Sequence, residues 1–140
     1  MLNKNIMILV IVVLSVCASN AFAEIKDGLW EITTKAEIIG MPHQMPPTTI
    51  RHCLAKNDPV PKAKDKSMEC KTNNQKVSGD TVTYAMECKN KDSVVITSGT
   101  MTYKGNTFAG TSTTSIRSKG QKEMQLNNKM SGKYIGPCTK

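Results

Sequence analysis

From Ser78 onward the chain is cut into strand-length runs by breaks of only three or four residues. A connection that short reverses the chain, so successive runs lie antiparallel and side by side. The breaks are Ser78-Gly79-Asp80, Asn90-Lys91-Asp92-Ser93, Lys104-Gly105-Asn106 and Ser118-Lys119-Gly120-Gln121. Two of them centre on Gly beside Asp or Asn, a hairpin signal. The runs they separate are residues 67–77, 81–89, 94–103, 107–117 and 122–135. Upstream, residues 28–39 alternate strictly. Trp30, Ile32, Thr34, Ala36 and Ile38 share one face, and Glu31, Thr33, Lys35 and Glu37 the other. That is the period of a half-buried strand.

Between these elements lie two loops and a short strand. Residues 40–47 (GMPHQMPP) form a Pro-rich loop, because proline donates nothing to a ladder. Residues 48–54 read as a strand. Residues 55–66 hold Pro59, Pro61, Lys56, Lys62, Lys64 and Lys66, a basic loop with one helical turn. No long stretch has helical periodicity. The expected fold class is all-β, an antiparallel meander of about seven strands in which sequential neighbours pair. Open edges invite aggregation, so the sheet is expected to form an up-and-down barrel or a sandwich.

Residues 1–23 read as a signal peptide. Lys4 supplies the basic start, residues 6–16 an apolar run, and Ala21-Phe22-Ala23 the cleavage signal. The run falls short of the roughly 20 residues a membrane-spanning helix needs. A lipid anchor at Cys17 is disfavoured, since Val16 stands where a small residue is wanted. The mature domain is then residues 24–140, exported to the periplasm. Of the 19 basic residues only Lys4 leaves with the leader, and all 11 acids stay, so its charge is +7. Its apolar content is lower than the 39% of the whole chain. A core that thin calls for covalent support.

Four cysteines remain after cleavage: Cys53, Cys70, Cys88 and Cys138. An even number in an exported chain reads as two disulfides. With Ser78-Gly79-Asp80 as a three-residue loop, Val77 faces Thr81, and counting outward Cys70 faces Cys88. Directly opposed Cβ atoms lie about 4.5–5.5 Å apart, within reach of a bridge. Elimination pairs Cys53 with Cys138. The loop-entropy model assigns roughly 3 kcal/mol to the shorter loop and roughly 4.6 kcal/mol to the longer. Together they are comparable to a total stability of about 5–15 kcal/mol.

Catalytic parts are scarce. The mature chain has His43 and His52, Arg51 and Arg117, and strand carboxylates at Glu31, Glu69, Glu87 and Glu123, with no acid/base pair among them. It contains no GxSxG, HExxH or phosphate-binding loop. No enzyme activity, catalytic residue or cofactor is expected. Met41, His43 and Met45 stand at alternate positions of the Pro-rich loop. Soft thioethers with imidazole suit copper(I), and copper binding is the alternative function. The positive charge is carried by lysine, with few arginines and aromatics, so nucleic acid is a poor partner. The lysines of residues 55–66 suit an anionic envelope component instead.

Gly28-Leu29-Trp30 resembles the opening motif of lipocalin-like barrels, in which the Trp plugs one end and a late basic residue, here Lys133, covers it. That likeness implies an interior for a small ligand, with Trp30, Tyr84 and Met86 as its lining. The whole mature chain resembles the bacterial exported family called domain of unknown function 3617. The residues that carry the likeness are Gly28-Leu29-Trp30-Glu31, Met41-Pro42, Met45-Pro46-Pro47, Cys53-Leu54, Cys70, Gly79-Asp80-Thr81-Val82-Thr83-Tyr84 and Glu87-Cys88. Met101-Thr102-Tyr103, Gly105-Asn106-Thr107-Phe108-Ala109-Gly110, Met130-Ser131-Gly132-Lys133 and Gly136-Pro137-Cys138 complete it. The resemblance implies export, a β-rich fold and paired cysteines, with no activity. The reading is a monomeric, non-catalytic periplasmic protein that binds a small amphipathic ligand or maintains the envelope.

Overall fold

The computed structural model describes residues 25–42, 44–62 and 66–139. The leader, His43 and Lys64 lie outside the described residues. Seven strands are present: β1 (Gly28–Ile38), β2 (Thr48–Leu54), β3 (Glu69–Ser78), β4 (Thr81–Lys89), β5 (Ser93–Lys104), β6 (Thr107–Ser118) and β7 (Met124–Gly136). They form one antiparallel sheet in the order β2-β1-β7-β6-β5-β4-β3. Among the described residues there is no helix; in place of the expected helical turn, Ala55 and Asp58 close a tight turn by exchanging two backbone hydrogen bonds.

The strict meander fails at one connection. β2 and β3 do not pair, and β7 pairs with β1 instead. The reason is parity. Seven alternating strands leave the two edge strands, β2 and β3, pointing the same way. Closure would require a parallel pair and a chain that returns along the full height of the sheet. Residues 55–68 connect the two strands, and Pro59 and Pro61 have no N–H to give to a ladder. The sheet therefore stays open between β2 and β3.

It is nevertheless strongly curled. Trp30 on β1 and Tyr103 on β5 are three strands apart, about 14 Å in a flat sheet. Their ring centroids lie 5.7 Å apart, edge to face. Phe108 and Tyr134 also pack on Trp30, at 5.6 and 5.7 Å. Ile25, Leu54 and Val60 complete the cluster from the segments that close this end. Lys133 does not cover Trp30. It lies opposite Glu31, on the other face of the sheet, because strand side chains alternate. The cation over an aromatic ring is Lys26, 5.6 Å from Tyr134.

A diagonal of glycines accompanies the curl. In cross-strand register Gly99 lies beside Tyr84, Gly110 beside Met101 and Gly132 beside Phe108. Each stands one residue pair further along the inner face than the last. A Cβ on Gly132 would run into the Phe108 ring, and one on Gly110 would lie 2.9 Å from Met101 Cγ. The missing side chains leave room for the large neighbours and let the strands bend.

Both disulfides form as expected, Cys70–Cys88 and Cys53–Cys138. The first arises from two compensating departures. The β3–β4 turn has two residues, with Gly79 at φ 63°, so Ser78 faces Thr81 and Val77 faces Val82. A bulge between Thr72 and Asn74 then absorbs one residue and restores Cys70 opposite Cys88. The second bridge joins the edge strand β2 to the segment after β7, passing the start of β1. Gly132→Ala should destabilise the protein by about 1–3 kcal/mol, the usual cost of overpacking a core, as read from denaturant unfolding.

Candidate functional site

Cross-strand register sorts the inner face into rows. The lowest is the aromatic cluster. Above it, beyond Val82–Met101–Gly110–Met130–Thr34, runs Tyr84–Gly99–Ser112–Asn128–Ala36, and above that Met86–Thr97–Thr114–Leu126–Ile38. The highest is Cys88–Val95–Ile116–Met124. Among the described residues no Asp, Glu, Lys or Arg stands in the upper three rows.

The middle of this face is a neutral hydrogen-bonded chain. Tyr84 shares a hydrogen bond with Ser112. It reaches across the place of Gly99, where a Cβ would come within 2.6 Å of Ser112 Cβ. Asn128 Nδ2 donates to Ser112 Oγ at 3.2 Å and to Thr114 Oγ1 at 3.0 Å. Thr114 and Thr97 hydroxyls are 3.0 Å apart. Val95, Ile116, Leu126, Ile38 and Met124 flank this polar band with apolar surface that is only partly covered, Met124 remaining 39% exposed, and Met86 is buried beside it.

The lining residues expected from the sequence take two different places. Trp30 is completely enclosed, with its indole N–H donated to the Lys26 carbonyl at 3.1 Å. It forms the floor. Tyr84 and Met86 stand above it, buried but next to the open rows. Burial pushes the Tyr84 hydroxyl above its usual pKa, against the opposing pull of the Ser112 hydrogen bond. Tyr103 is raised further, first by burial and then by Tyr84. Its hydroxyl donates to the Pro59 carbonyl at 2.6 Å and holds Pro59 to the floor.

Other sequence candidates are dispersed. Met41 and Met45 are exposed, and Gln44 between them bridges to Glu37. Cys53 is held in its disulfide and offers no thiolate. Among the described residues no group of three or more His, Cys, Asp or Glu converges for a metal. Lys62 is paired with Asp58 at 2.7 Å, so the basic loop does not present all its charge to solvent. The Glu123 carboxyl sits below its usual pKa. Hydrogen bonds from Ser115, then Gln125 and Arg117, lower it and hold it ionised.

Sequence reading did not anticipate the outer face. Two adjoining depressions of about 680 and 640 Å³ open there, both lined by Thr100, Thr111 and Lys129. Period-two patterning marks these positions as exposed, but a hollow on the outside of a curled sheet comes from its twist.

Tyr84 and Tyr103 stay protonated in the fold while free tyrosines titrate near 10.0. Below that pH their contribution is constant. Above it the unfolded chain ionises and the folded one does not, so stability falls as pH rises. The urea midpoint should decline steeply above pH 10, and less steeply in Tyr84→Phe. Tyr103→Phe should cost about 1–3 kcal/mol, because it leaves the buried Pro59 carbonyl without its donor.

The two disulfides point to an oxidising compartment. No curated protein and no solved structure matches the chain. One family model does, that of the protein of unknown function DUF3617, over residues 25–138. That span runs from Ile25 at the floor of the core to Cys138 of the second bridge, and the chain belongs to this family.

Proposed function

We propose that residues 1–23 export the chain to the periplasm, where it acts as a monomeric, non-catalytic binding protein. Its ligand is a small amphipathic molecule with a neutral polar end, held against the inner face of an incomplete lipocalin-like barrel. The observation that carries this reading is the composition of the inner rows. A hydroxyl and amide band (Tyr84, Ser112, Asn128, Thr114, Thr97) is bordered by partly covered apolar side chains and lacks ionic groups among the described residues. A neutral polar end can exchange hydrogen bonds with this band. A charged one would lose hydration without gaining a counter-charge.

The test is fluorescence titration with N-phenyl-1-naphthylamine, a neutral apolar probe. Saturable binding is expected, with 1-decanol displacing the probe at least about tenfold better than decanoate. Met86→Asp should abolish uptake while the near-ultraviolet dichroism of Trp30 is kept. Absence of saturable uptake, or equal displacement by decanoate, would remove the proposal.

A second reading, copper(I) held by Met41, His43 and Met45, is favoured by the exposure of both thioethers. Copper(I) titration of the protein against Met41→Ala/Met45→Ala decides it. Equal affinity would end it.

A further inference from the structure

The outer face of β4, β5, β6 and β7 carries hydroxyl rows as regular as those inside. One row reads Thr83–Thr100–Thr111–Lys129–Lys35. Its neighbours read Ser98–Thr113–Asn127–Glu37 and Thr81–Thr102–Ala109–Ser131–Thr33. The two depressions that share Thr100, Thr111 and Lys129 join along these rows into one trough, and Lys104 lines its lower part. The side chains that reach it from this face are Thr, Ser, Asn, Lys, one Glu and one Ala.

Charge is distributed unevenly around it. Exposed ion pairs occupy Arg51, Lys62, Lys71, Lys89, Lys91, Arg117 and Lys119. Among the described residues none of these pairs involves Lys35, Lys104, Lys129 or Lys133, all exposed on the outer face. These four lysines therefore put positive charge on this face outside those ion pairs. Glu37, at one end, is engaged by Gln44 Nε2 at 3.4 Å.

We propose that this trough is a binding site for an extended, anionic, polyhydroxylated chain, that is, an acidic glycan strand lying across the β-strands. Neighbouring strands are spaced about 4.8 Å apart, close to the length of one pyranose residue in an extended glycan. A strand laid along the row meets one hydroxyl of the protein per sugar, at Thr83, Thr100 and Thr111, and then the ammonium groups of Lys129 and Lys35. Those ammonium groups answer carboxylate or phosphate substituents. A membrane fits less well. The rows present no apolar side chain larger than Ala109 to insert into a bilayer. Tyr84, Ser112 and Asn128 of the inner band also border the trough, but the Thr and Lys side chains that would hold the glycan alternate with them along the strands and lie on the opposite face.

The experiment is amide NMR of the disulfide-bonded protein titrated with a β-1,4-linked uronic acid hexamer. A neutral β-1,4-linked glucose hexamer and phosphatidylglycerol vesicles serve as comparisons. Saturable shifts are expected at Thr100, Thr111 and Lys129. The uronate hexamer should bind at least about tenfold more tightly than the neutral one, and less tightly as salt is raised. Lys129→Gln combined with Thr111→Val should weaken it about tenfold at unchanged melting temperature. That variant should leave naphthylamine uptake on the inner face intact. Shifts confined to residues 55–66, or equal affinity for the neutral hexamer, would overturn the proposal. So would phosphatidylglycerol vesicles that bind through the same residues and displace the hexamer, which would make the face a membrane contact.

Discussion

Trp30 meets Tyr103 across the width of three strands, and the two faces of the sheet differ because of that contact. Without it a seven-stranded sheet would be an open twisted ribbon with neither face sheltered. The packed rings of Trp30, Tyr103, Phe108 and Tyr134 draw β1, β5, β6 and β7 inward at one end. The closing segments at Ile25, Pro59 and Val60 have something to seal against only because that cluster exists. The curl then shelters the uncharged rows above the aromatic floor and turns the lysines and threonines outward. Glycines at 99, 110 and 132 are the permissive half of the arrangement. Gly132 and Gly110 give up a side chain where the Phe108 ring and the Met101 side chain need the volume, and Gly99 does so where Ser112 and the Thr111 carbonyl stand.

The parity of the sheet explains why it curls without closing. An even number of alternating strands brings an antiparallel pair to the seam. Seven brings two strands that run the same way, and the connection between them has to climb the wall. Prolines at 59 and 61 keep that climbing segment from becoming an additional strand. They also place Val60 and the Pro59 carbonyl where the floor uses them. One short segment thus both prevents closure at the side and completes closure at the end.

Most of the architecture is legible in period and punctuation, because both report local geometry. The alternation of residues 28–38 and the Gly-centred turns at 79 and 105 place strands to within a residue or two. What depends on distant pairing is not legible. Nothing local to β1 says that its second neighbour is β7, nor that β2 and β3 will stand apart. Counting outward from a three-residue turn reaches the Cys70–Cys88 pair from a turn one residue too long, and the bulge at Asn73 makes the count come out right. The sequence misplaces Lys133 because its face depends on the register of β7 against β1. The inner polar band is visible in the sequence only as a scatter of Thr, Ser and Asn. It becomes a chain once register sets Tyr84, Ser112 and Asn128 in one line.

The Cys53–Cys138 bridge encloses most of the chain in a covalent loop, and β1 lies outside it. In the sheet, however, β1 stands between the two ends of that loop, with β2 on one side and β7 on the other. It is a keystone: the loop's ends are held in position by a strand to which neither disulfide is attached. β1 is also the first strand to leave the ribosome, and its partner β7 is the last. The aromatic cluster that shapes both faces contains Trp30, so it cannot assemble until the whole chain has been delivered. The strand made first is completed by the strand made last, so the floor that divides the two faces draws on both ends of the sheet's chain.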